Sequence, residues 1–243
     1  MGETILDFFS RLDAAVLHTL SGWGQISPLA NKIIVGFLNL SSVKILPLVS
    51  GLWLLWFRKN HHPKDKLAVI AAFVSMMVAV GVARMVQNAL PARPRPLHSE
   101  DLDFLWPLGI DHDVMEKWGS FPSDHAALAF ALAICVYRAS RPGGIIAFAW
   151  ALLVVSFPRL FAGWHYASDI IGGAMIGIVV GSIFTHSQRL EKLLVGTALR
   201  LESRFTGLFY AGAFIFSYQI VTLFDDIRKV GREAVELLLK GHL

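Results

Sequence analysis

The chain has 243 residues, of which 55% are hydrophobic and only 16% charged, with a formal net charge of +4 and a mean hydropathy of +0.56. That balance excludes an ordinary soluble globular domain and describes an integral membrane protein, organised as one domain over 1–243. The basic residues gather in short connectors between apolar runs, which argues against a nucleic-acid partner, and Cys135, the single cysteine, excludes internal disulfides and a cysteine-rich metal site.

In chain order, residues 1–20 carry Glu3, Asp7, Arg11 and Asp13 among apolar residues. This is the pattern of an amphipathic helix lying on a bilayer rather than of a cleavable signal peptide. Helices are expected over 4–20 and 28–39, split by the turn from Gly22 to Pro28, so that 1–40 forms interfacial or shallow re-entrant structure. Six apolar runs follow, at 43–57, 67–90, 123–138, 143–158, 168–185 and 205–224. The expected fold is therefore all-α, a polytopic membrane helix bundle with about six transmembrane helices and interfacial helices at both termini.

The first run ends in Trp53, Trp56 and Arg58, the aromatic-plus-basic composition of an interface anchor. The second turns polar where Arg84, Gln87 and Asn88 share one face, and Pro91 follows it. The third and fourth fall short of the roughly 20 residues that a helical span needs. The fifth carries Gly173, Gly177 and Gly181 at intervals of four, a smooth stripe suited to close helix packing. Residues 43–185 are the expected catalytic core, 205–224 an extra span and 225–243 an amphipathic tail.

Counting run ends places the end of the second, the start of the third, the end of the fourth and the start of the fifth on one face. That face carries Glu100, Asp101, Asp103, Asp111, Asp113 and Glu116. The other carries Arg58, Lys59, Lys64, Lys66, Arg138, Arg141, Arg189, Lys192, Arg200 and Arg204. The positive-inside rule makes the basic face cytoplasmic and the acidic loop external, with the N-terminal segment and the tail also outside. The expected location is the inner membrane.

Three polar clusters reach the acidic face. Pro91-Ala92-Arg93-Pro94-Arg95-Pro96 is kept extended by its prolines, and taken alone it reads as a solvated linker. Ser120-Phe121-Pro122-Ser123-Asp124-His125 opens the third run, with Ser123 placed to cap a helix whose N-terminus favours phosphate. In the third, Arg159, His165 and Asp169 follow at spacings of six and four. A helix starting near His165 puts Asp169 one turn on, within reach of one ring nitrogen, leaving the other free as a nucleophile or base. Arg159 offers a planar fork to phosphate oxygens.

Arg95-Pro96, Pro122-Ser123-Asp124-His125 and the Arg159, His165, Asp169 series together resemble the three-part signature of the type 2 phosphatidic acid phosphatase superfamily, over roughly 30–185. The resemblance implies that His165 attacks phosphorus to form a phosphohistidine, oriented by Asp169. By the same resemblance, His125 protonates the leaving oxygen and later activates water. Arg95, Arg159, Ser123 and backbone N–H groups after Ser123 would hold the phosphoryl oxygens, with no metal and no cofactor.

Three positions depart from the family pattern. Asn88 stands where a lysine is usual, so that Arg84 or Arg93 is expected to supply the charge. Asp124 replaces a glycine and is placed to tune His125 or select substrate, and Pro158 replaces a serine. The expected partner is a membrane lipid within the bilayer, with undecaprenyl diphosphate ranked first. Phosphatidic acid, phosphatidylglycerol phosphate, lipid A and lipid phosphotransfer follow. A non-catalytic lipid-phosphate binding or transport protein is the reading from another class.

Overall fold

A computed structural model describes residues 4–59, 63–99, 102, 104–110 and 118–224. The six acidic loop residues and the tail 225–243 named above lie outside these. Among the described residues there is helix and no strand, as the apolar periodicity requires.

The first helix, α1 (Ile5–Leu20), opens with a capping box in which Thr4 and Asp7 satisfy each other's backbone N–H groups. Short α2 (Trp23–Ile26) fills the expected turn. Helix α3 (Pro28–Asn39), capped by Ser27 with Pro28 in its first turn, leads into α4 (Ser41–Trp56). Then come α5 (Pro63–Ala89), α6 (Asp124–Ala139) and α7 (Arg141–Trp150). A π-helical segment, Ala151–Ser156, joins α7 to α8 (Phe157–Phe161). Last are α9 (Ala167–His186), α10 (Gln188–Arg204) and α11 (Thr206–Val221).

All six apolar runs are helical, but they differ in length. Lys64–Ala89, Arg141–Phe161 and Ala167–His186 are long and apolar enough to cross a membrane. A fourth crossing results if Pro28–Asn39 and Ser42–Trp56 form one span bent by 62°. Helices α6 and α11 have 16 residues each, short of the usual span. The fourth run is longer than expected, because the π segment carries the helix through Pro158. Proline has no N–H to give to a helical ladder, and the wider turn, with Ser156 Oγ donating to the Ala151 carbonyl at 2.8 Å, absorbs the irregularity.

Helix α6 sits at the centre, packed against α5 and α9, and its buried face is largely alanine. The α9 glycine stripe makes this possible, because Cβ atoms at Gly173 and Gly177 would run into the carbonyl oxygens of Ser123 and Ala127. Backbone therefore touches backbone. Gly177→Val is expected to lower stability by about 1–3 kcal/mol by overpacking, read as a drop in unfolding temperature in detergent micelles. Gly212→Val, on α11 with open space around it, should leave the midpoint unchanged, and equal midpoints for the two would refute the close approach.

One expectation needs extending and another correcting. Trp53 and Trp56, expected as an interface anchor, also tie α4 to α11: their indole N–H groups donate to Ser217 Oγ at 3.1 Å and Tyr210 OH at 3.0 Å. The basic stretch read as a connector is helix α10, where Lys66 pairs with Glu202 at 3.0 Å. Its charge hid a helix that half-buries one face and exposes the other.

Candidate active site

The far end of α5, the start of α6 and the α8–α9 junction meet at one end of the bundle. Main-chain bonds fix them: Ser120 N donates to the Arg93 carbonyl at 2.9 Å, Ser123 N to the Asp169 carbonyl at 3.0 Å and Leu97 N to the Gly163 carbonyl at 2.9 Å. Between Arg159 and His165 the chain turns through Gly163 at φ +67°, a conformation open to glycine, and a Cβ there would meet the Trp106 ring. The Arg159 carbonyl accepts from the N–H groups of Trp164 (2.9 Å) and His165 (3.3 Å). The loop thus folds back on the arginine.

His165 is 4% exposed. Its Nδ1 lies 2.9 Å from the Ser120 carbonyl oxygen and 3.5 Å from Asp169 Oδ2. A carbonyl only accepts, so Nδ1 carries the proton and Nε2 keeps its lone pair, 3.4 Å from Arg95 Nη1. The sequence placed Asp169 alone against this nitrogen, whereas the shorter contact is to backbone. Burial, the largest influence, holds the His165 imidazole below its ordinary value of 6.5, opposed by the adjacent Asp169 carboxylate.

Asp169 is fully buried and caps α9, with Oδ2 accepting from Tyr166 N at 2.8 Å. Its Oδ1 faces Arg93 Nη1 at 3.2 Å. At the neighbouring helix start, Ser123 caps α6 as expected, its hydroxyl accepting from Ala126 N. Asp124 holds His125 Nδ1 at 2.8 Å with one oxygen and Arg84 Nη2 at 2.5 Å with the other. Both histidines therefore have Nδ1 anchored, and Nε2 of His165 faces Arg95 Nη1 at 3.4 Å.

The cations divide into two groups. Arg95 and Arg159 are 3% and 2% exposed. Arg95 donates to the carbonyls of Trp164 and Gly119, while Arg159 Nε and Nη1 are buried with no hydrogen-bond partner. Arg159 lies within Coulombic reach of Arg95, Asp124 and both histidines. Arg84 and Arg93, by contrast, are engaged by carboxylates: Arg84 by Asp124, and Arg93 by Asp13 at 2.7 Å as well as by Asp169. Asn88 is exposed one turn beyond Arg84. The expected backbone donors after Ser123 are partly taken, His125 N by its neighbour's carboxylate at 2.8 Å.

Several partners escaped the sequence reading. Asp13 of α1, 3% exposed, accepts from Ser168 N at 2.8 Å and Ser168 Oγ at 2.6 Å. The signal was present: Asp13 falls on the apolar face shared with Phe9, Val16, Leu17 and Leu20, where an acid needs a partner. Lys44, 1% exposed, donates to the Leu38 carbonyl at 2.7 Å across the α3–α4 bend. Among the described residues, no three His, Cys, Asp or Glu side chains are grouped to hold a metal ion.

A family model described as the PAP2 superfamily matches residues 90–192, the stretch that holds both histidines, Arg95 and Arg159. The lipid A 4'-phosphatase of Bacteroides thetaiotaomicron is 30% identical over 188 residues, 74% of this chain and 78% of that protein. The chain belongs to the PAP2 superfamily. Another relative, the undecaprenyl-diphosphatase BcrC of Bacillus subtilis, is 30% identical over 129 residues, 50% of this chain. That match spans 61% of the BcrC protein, under two thirds of its length. The crystal structure of Aquifex aeolicus LpxE aligns with a TM-score of 0.50 and 28% identity over 76% of this chain and 100% of that one. This PAP2 chain is accordingly an integral membrane protein of a lipid phosphatase family, a class of phosphoric ester hydrolases.

Proposed function

We propose that this PAP2 protein hydrolyses a phosphate or diphosphate monoester at the headgroup of a membrane lipid through a phosphohistidine on His165. The observation that carries the reading is Arg159, a buried guanidinium whose Nε and Nη1 have no hydrogen-bond partner. An unpaired buried cation is costly, and a dianionic phosphoryl group, with Arg95 opposite, supplies what is missing. With phosphorus held there, the Nε2 lone pair of His165 attacks in line and the bond to the leaving oxygen breaks. His125 delivers the proton to that oxygen, then takes one from the water that cleaves the phosphorus–nitrogen bond. Catalysis rests on positioning and on charge stabilisation at the equatorial oxygens.

Arg95 and Arg159 supply the positive charge without a metal, and Asp124 fixes the direction of His125. The site faces outward across the inner membrane, where a lipid headgroup reaches it from the bilayer edge. Undecaprenyl diphosphate is the leading substrate, supported by the BcrC relative and the Pro-Ser-Asp-His motif. Lipid A is the second reading, supported by the longer match to a lipid A 4'-phosphatase and by the LpxE alignment.

Phosphate release, with and without a chelator, from undecaprenyl diphosphate, lipid A, phosphatidic acid and phosphatidylglycerol phosphate tests the reading. One lipid is expected to turn over at least about tenfold faster than the rest, unaffected by the chelator. No release from any of them would favour a binding or transport protein. The pH profile gives an independent check. The neutral imidazole is the attacking form and His165 titrates below its ordinary value, so the acid limb of kcat/KM should lie below pH 6.5. An acid limb above that value would assign it to another group.

A further inference from the structure

The N-terminal helix reaches into this site through one carboxylate. Asp13 Oδ1 accepts from Ser168 N, 2.8 Å away, and Oδ2 from Ser168 Oγ at 2.6 Å and Arg93 Nη2 at 2.7 Å. Ser168 is the second residue of α9, so its N–H is one of the helix donors with no partner inside the helix. A side chain from a different helix therefore caps α9, next to the turn that presents His165.

Arg93 is held by several partners at once. Its guanidinium lies 3.7 Å from the centre of the Tyr166 ring, and Nη1 donates to Ser168 Oγ at 2.8 Å and faces Asp169 Oδ1 at 3.2 Å. One arginine is thus shared by two carboxylates and sits nearer to Asp13. If Asp13 lost its charge, Arg93 would pair with Asp169 alone and neutralise the carboxylate that lies beside His165 Nδ1.

We propose that Asp13 is a positioning residue of the phosphatase: it caps α9 from α1 and draws Arg93 away from Asp169, so that Asp169 keeps its place and charge for His165. The proposal rests on the reading of His165 as nucleophile. It also gives Arg93 a task distinct from phosphate binding and makes α1 part of the catalytic unit.

The test uses the full chain in detergent with the preferred lipid of the panel above. Asp13→Asn is close in shape and is expected to lower kcat about 10- to 100-fold by misplacing the nucleophile. KM and the inhibition constant of inorganic phosphate should stay within about twofold, since Arg95 and Arg159 are untouched. In an Arg93→Gln background, adding Asp13→Asn should cost less than it costs the wild type, because the cation that Asp13 restrains is gone and only the cap on α9 is lost, the non-additivity of a shared contact.

A kcat for Asp13→Asn within about twofold of wild type, or losses that multiply in the double variant, would overturn the proposal. If Asp13→Asn does not fold, Arg93→Lys asks the same question, because it keeps the charge but cannot bridge two carboxylates. A lower kcat with an unchanged phosphate constant supports the proposal, and a wild-type kcat refutes it. His165→Ala separates the two levels. Activity in that variant removes the nucleophile reading, whereas an inactive His165→Ala beside a fully active Asp13→Asn removes only this inference.

Discussion

His165→Ala is expected to abolish phosphate release, by at least about 10³-fold, while the protein remains folded. Among the described residues, His165 brings Nε2 to 3.4 Å from Arg95, whereas His125 has its Nδ1 held by Asp124 and its Nε2 is assigned to the leaving oxygen. The folding cost of the substitution is modest. The Ser120 carbonyl loses its donor, worth about 1–3 kcal/mol. Asp169 keeps Tyr166 N and Arg93. Acid-labile, base-stable phosphate trapped on the wild-type chain and lost from the variant would identify the intermediate. Wild-type turnover in His165→Ala would require a different nucleophile.

Arg159→Met should lower kcat by about 10²–10³-fold, the usual loss when one preorganised donor to the transition state is removed. Its effect on stability should have the opposite sign. Arg159 is buried with Nε and Nη1 unpaired, so a flexible apolar chain of similar length relieves a desolvation cost, and the unfolding temperature should rise. Inorganic phosphate or vanadate should stabilise the wild type by occupying the site, an effect the variant loses. A variant with full activity, or one that melts lower and still gains stability from phosphate, would place the anion elsewhere.

The parts of this site legible in the sequence were those whose side chains stand at fixed positions in local patterns. Ser123 before an apolar run, His165 four residues ahead of Asp169, and the α9 glycines each follow from helix geometry. Connections made by backbone or across the fold were not legible. The Ser120 carbonyl against His165 has no residue type to announce it, and the Asp13–Ser168 pair joins positions 155 residues apart. Arg84 and Arg93 suggested phosphate by charge alone, while the structure seats each beside a carboxylate. Span number was equally hard to read, because apolar content marks a helix without telling how its length and bend relate to a bilayer.

The contact between the main chains of α6 and α9 has one more consequence. Gly173 and Gly177 let the two helices meet without intervening side chains, so the spacing of α6, which carries His125, from α9, which follows His165 by two residues, is set by peptide geometry rather than by adjustable packing. Such a gauge resists drift, since almost any substitution at either glycine forces the helices apart. Divergence therefore has to proceed in the segments around these helix ends, leaving the spacing of α6 and α9 unaltered.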